Sequence, residues 1–170
     1  METALMNHPA LASKNPLDTL MKHVFVAEST LEEECADLEA ALQQGDGMRD
    51  YASLVPSVDA AERNARRAYG LFVTATHYFK EWEITADVFE AGLRDTASNA
   101  LQEEKDSGKR TKAITISDVD TQMMKAYSHE LSMLKSRRTR WELTVKSMEN
   151  LSKLWDSRCR TLQAMLSKSR

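Results

Sequence analysis

Arginine is the residue through which this chain has chemistry to offer. Lys135, Arg137, Arg138 and Arg140 crowd into little more than one helical turn, Arg158 and Arg160 follow, and Arg63, Arg66 and Arg67 form an earlier group. A guanidinium holds a phosphate through paired hydrogen bonds, so such groups suit a nucleic-acid backbone gripped without reading its sequence. Tyr69 and Tyr127 are candidates to stack on unpaired bases. Two other readings stay open for the same arginines: pairing with acidic residues inside the protein or its assembly, and contact with some other acidic surface.

Catalytic constellations are missing. His77 and Glu81 lie four residues apart, as two ligands on one helical face would, but no second pair completes a bundle-type metal site. Gly45-Asp46-Gly47 and Gly108-Lys109-Arg110 lack the spacing of a phosphate-binding glycine loop and any strand–helix context. No nucleophile has a base with an orienting partner. The expectation is a protein that is not an enzyme and holds no metal and no cofactor.

The charge is unevenly distributed. Residues 1–62 carry 3 basic and 12 acidic side chains, a balance of −9, whereas residues 108–170 carry 14 and 6, a balance of +8. Two such halves attract each other within one molecule or between copies, or leave the basic half for an acidic partner. Cys35 and Cys159 both fall at apolar helical positions, which suits buried free thiols in a reducing compartment. No run of about 18 apolar residues suggests a membrane span. Met1 to Leu5 lacks the basic and hydrophobic parts of a secretion signal, so a cytoplasmic protein is expected.

The elements that must position these residues are helices. With three prolines and five glycines in 170 residues, long uninterrupted helices are possible and a turn-rich β fold is disfavoured. Residues 1–14 show no periodicity and read as a flexible arm. A first helix is expected over about 15–44, capped by Asn15 and stopped near Gly45, with an acidic surface suited to a protein partner. A second, over 57–104 with Ser57 as its cap, carries a stripe at alternating steps of three and four from Ala61 through Trp82 to Ala100. A third, over 117–166 with Ser117 as its cap, repeats that spacing through Leu134, Trp141, Val145, Met148, Ser152, Trp155, Cys159, Leu162 and Leu166. Ala113 to Ile116 reads as an extended lead-in whose isoleucines pack on the helices. Arg138 and Ser152 fall on the seam, where polar residues set register or oligomer state. The fold expected is all-α: one domain over 15–170, an elongated antiparallel three-helix bundle or coiled coil with two long helices and a shorter N-terminal one. Such a rod buries little alone, which predicts a homo-oligomer.

The stretch from Ala61 to Tyr69, the threonine-bearing lead-in Thr111 to Thr115, the acid-capped start Ser117-Asp118-Val119-Asp120, Tyr127 with Glu130, and the final Trp155-Asp156-Ser157-Arg158-Cys159-Arg160-Thr161-Leu162 together resemble UvsY-type phage recombination mediators. The resemblance implies a bacteriophage protein in the host cytoplasm. It would form closed oligomers, bind single-stranded DNA, remodel the DNA's binding protein and help load a recombinase in DNA recombination. The family's basic residues would correspond to Arg63, Arg66, Arg67, Arg158 and Arg160. The acidic first helix and net acidic charge depart from that pattern. The reading from the residues is a non-enzymatic oligomeric accessory protein binding single-stranded nucleic acid. The alternative is a protein-only structural or adaptor scaffold.

Overall fold

A computed structural model describes residues 16–43 and 51–168. The expected N-terminal arm, the Asn15 cap and the Gly45 stop lie outside the described residues. The described residues form four helices: α1 (Pro16–Gln43), α2 (Tyr51–Asp106), α3 (Ile116–Ala126) and α4 (Ser128–Lys168). The all-helical expectation stands, but the three-helix architecture does not, because the helix expected over 117–166 is two helices.

The break falls at Tyr127, whose φ of −127° and ψ of 29° leave the helical region. Its amide still donates to the Met123 carbonyl at 2.9 Å and its carbonyl accepts from Leu131 N at 3.0 Å, so α4 restarts at once. An unbroken helix would line Ile116, Asp120, Met123 and Tyr127 up with Leu134 on the buried side. That would drive a carboxylate into the core, at a cost that a bend avoids. With the bend, Met123 is buried, Ile116 is 80% exposed, and Asp120 reaches Arg94 at 3.0 Å.

Other boundaries shift for equally local reasons. α2 begins at Tyr51, so Pro56 lies inside it and cannot donate to the carbonyl one turn back. Ser57 is not a cap but a back-bonder, its hydroxyl donating to the Ser53 carbonyl at 2.8 Å. α2 closes where Gly108 takes a φ of +73°, which lets Arg110 N reach back to the Glu104 carbonyl at 3.1 Å. The cap of α3 is Thr115, not Ser117. Of the lead-in isoleucines, Ile114 is half-buried and Ile116 is not packed at all.

Contacts divide the described residues into two units, those up to 80 together with those from 142 on, and residues 81–141. In the first, α1 runs antiparallel to α2 and parallel to α4, as shown by Arg67 meeting Glu34 and Asp37 and by Arg158 meeting Leu42. Its core interleaves Leu31 and Leu38 with Leu54, Val58, Ala61, Ala68 and Ala75, and with Met148, Leu151, Trp155 and Leu162. Small alanines on α2 admit the large residues of its neighbours. In the second unit, α2 and α4 are antiparallel, with Trp82, Ala86, Ala97 and Leu101 set against Leu134, Trp141 and the Met123 of α3. The buried line on α2 steps from Leu93 to Ala97 and Leu101 where the sequence spacing predicts Thr96 and Ala100. Two successive steps of four restore the ordinary helical period after a stretch at the coiled-coil period.

Candidate nucleic-acid interface

Three of the arginines nominated from the sequence hold one helix of the protein to another. In the first unit, Arg67 of α2 lies between Glu34 at 3.5 Å and Asp37 at 3.8 Å, tying α2 to α1. Arg158 of α4 donates from Nη1 to the Leu42 carbonyl at 2.6 Å while its guanidinium lies 5.6 Å from the Trp155 ring centroid. Leu42 belongs to the last turn of α1, whose carbonyls have no partner within the helix, so this contact caps one helix from another. In the second unit, Arg138 meets Asp87 at 2.8 Å and sits 6.0 Å over Trp82. Its seam position thus meets a charge and a ring face from α2, while its buried Nε–H has no partner among the described residues.

The remaining site residues are more open. Arg63 is exposed, and Arg66, with 83% of its side chain accessible, stands 3.7 Å from Glu62 one turn back. Arg160 pairs with Asp156 at 2.7 Å along its own helix. Burial raises the pKa of the buried Cys159 thiol, the charges of Glu62 and Asp156 add to that, and those of Arg160 and Arg66 oppose it. Lys135 and Arg140 are exposed and Arg137 is half-buried, with Arg137 and Arg140 also engaged by neighbouring groups. Lys135, Arg137, Arg138 and Arg140 belong to the second unit and the other five site residues to the first. Near Arg66, Tyr69 is 60% exposed, while Tyr127 is half-buried and Trp82, Trp141 and Trp155 are all buried. Of the aromatic residues named from the sequence as stacking candidates, Tyr69 is the exposed one among the described residues.

His77 and Glu81 are both exposed, and among the described residues no group of three His, Cys, Asp or Glu side chains is arranged to hold a metal. Cys35 and Cys159 are free, buried thiols. No described helix is long and apolar enough to cross a membrane.

One surface was not anticipated. Between α1 and α4 the first unit carries two open clefts, of about 290 and 350 Å³. The first opens between Glu32, Ala36 and Glu39 of α1 and Leu143 and Ser147 of α4; the second lies beside Leu42, Leu154, Thr161 and Met165. Leu143, Leu154 and Met165 are 63%, 54% and 47% exposed. Their eleven-residue spacing, about three helical turns, is the sequence signal that would have found this face. No protein-family model, no curated protein and no solved structure matches the chain.

Proposed function

We propose that this chain is a non-enzymatic helical scaffold, working in a reducing cytoplasm through contacts with protein, including copies of itself. The observation that carries the reading is the use made of its guanidinium groups. Arg67, Arg138 and Arg158 each reach from one helix to a carboxylate or carbonyl of another. A guanidinium committed in this way must give up that partner before it can take a phosphate, and the abandoned group then bears the cost. Exposed Glu32, Glu33 and Glu39 on α1 offer a second kind of surface, one that favours a basic protein partner.

A second reading keeps a single-stranded nucleic acid as ligand, in line with the recombination-mediator resemblance. Arg63, Arg66, Arg160 and Tyr69, all exposed and all in the first unit, favour it. Glu62 and Asp156 stand beside two of those arginines and offset their charge. Titrating a labelled single-stranded oligonucleotide at low and at moderate salt separates the two. The scaffold reading expects no binding, or binding that disappears at moderate salt and is unchanged by Tyr69→Ala. Tight binding, weakened by both Arg66→Ala and Tyr69→Ala, would overturn it in favour of the second.

A further inference from the structure

Leu101 is buried beyond the end of the helix that packs on the rest of its line. In the second unit Arg138 meets Asp87 across two antiparallel helices, so each step back along α4 matches one step forward along α2. On that register Ser128, where α4 begins, is level with Ala97, and Leu101 lies about 6 Å further on. Leu101 is nonetheless 4% exposed, so its cover comes from α3 and the residues flanking it. α3 does not continue the line of α4. A straight continuation would put Asp120 level with Lys105, yet it meets Arg94 at 3.0 Å, and Arg94 lies about 16 Å back along α2. α3 therefore turns aside at Tyr127 and lies over the last turns of α2 as a strap.

The strap is lightly fastened. Met123 is its buried residue, while Ile116 and Met124 are 80% and 58% exposed. Two ion pairs add to that fastening, Arg94 with Asp120 and Arg110 with Asp118 at 2.7 Å. All four side chains are partly open to solvent, where such pairs contribute little and weaken with salt. The reciprocal Thr115–Asp118 cap holds α3 together but does not tie it to α2. Non-helical backbone lies at either end, at Tyr127 and in the loop where Gly108 takes a φ of +73°. An element with few buried contacts and movable ends opens before the whole unit unfolds. We infer that α3 is a strap that opens while α2 and α4 stay packed. Closed, it masks Leu101, Arg94 and Arg110; open, it presents that leucine together with two released guanidinium groups.

Thiol labelling of the folded, full-length chain reads the opening directly. Leu101→Cys probes the surface under the strap, and Leu134→Cys probes the same unit where α4 packs on α2. Mass spectrometry of the labelled peptides keeps the buried Cys35 and Cys159 apart from both probes. The thiol at 101 is expected to react at least about tenfold faster than the thiol at 134, and faster still as salt rises. Asp120→Asn removes one fastening and leaves the Thr115–Asp118 cap intact. It should raise the rate at 101 severalfold and leave the rate at 134 unchanged. Exchanging the pair, Arg94→Asp with Asp120→Arg, restores the attraction and should bring the rate at 101 back down, which a generally loosened core would not do. Met123→Cys, on the strap itself, is a second probe with the same expectations should Leu101→Cys lose its helical circular dichroism. Equal rates at 101 and 134 would mean a single global opening and overturn the inference. So would a rate at 101 indifferent to both salt and Asp120→Asn.

Discussion

Trp141 shows how tightly single positions are specified. It is fully buried, yet its indole N–H reaches no acceptor among the described residues. Its worth is therefore in packing, and the polar end subtracts from it. Trp141→Ala is expected to cost about 3–5 kcal/mol by denaturant unfolding, as a large cavity in a core does. Trp141→Phe should cost no more than about 2 kcal/mol, because loss of an unpaired donor offsets part of the lost contact. Cys35 makes a second prediction at this scale. Burial, and then the charge of Glu39 and the hydrogen bond to it, push the thiol up to about 11 from an ordinary 9.0. Iodoacetamide at pH 8 should label it only after unfolding, a comparison that mass spectrometry reads directly. Since the folded pKa lies above the unfolded one, the neutral thiol's contribution is complete below pH 9 and is lost as pH rises towards 11.

Among the helices, the decisive features are their ends. α3 is held by a reciprocal cap: Asp118 N donates to the Thr115 hydroxyl oxygen at 3.2 Å, and Thr115 N donates to the Asp118 carboxylate at 2.9 Å. The Thr115 amide, then its hydroxyl, then Arg110 hold the Asp118 carboxyl down to about 2 from an ordinary 3.8. A carboxyl lowered by folding supports the fold above its unfolded pKa, so this support is complete above pH 3.8 and lost as pH falls through 2. Thr115→Ala should cost about 1 kcal/mol at neutral pH. It should also flatten the acid limb of a pH–stability curve between those values. At the end of α1, Arg158→Ala removes both the carbonyl cap and the ring contact, for an expected loss of about 1–2 kcal/mol. Arg158→Lys should recover little of it, as an ammonium cannot lie flat on Trp155 while donating to Leu42.

These ends also mark where the sequence was legible and where it was not. Heptad spacing from Leu134 through Trp141, Met148 and Trp155 to Leu162 is buried throughout, because periodicity reports burial directly. It is silent about a bend that leaves the period intact, which is why Tyr127 was invisible. A cap is a choice between neighbours: Thr115 and Ser117 are both cap formers, and only the reach of the Asp118 carboxylate back to the Thr115 amide decides between them. For the arginines, the sequence supplied position and charge but not partner. Arg67 and Arg158 were placed in a phosphate site because nothing in their spacing shows Glu34 or the Leu42 carbonyl across the gap.

For the whole molecule, an acidic N-terminal third and a basic C-terminal third have two outlets, inside the chain and between chains. Ion pairs such as Arg67–Glu34 and Arg138–Asp87 use part of that charge inside. A contact with apolar residues at its centre and charges at its edges dissociates only moderately as salt rises, whereas phosphate binding collapses steeply.

Light scattering on the intact protein across a concentration series, with and without single-stranded DNA, tests this most directly. The account predicts a mass that rises above 19.2 kDa as concentration rises and does not change when the DNA is added. A chain that stays at 19.2 kDa alone and gains mass only with DNA would contradict it.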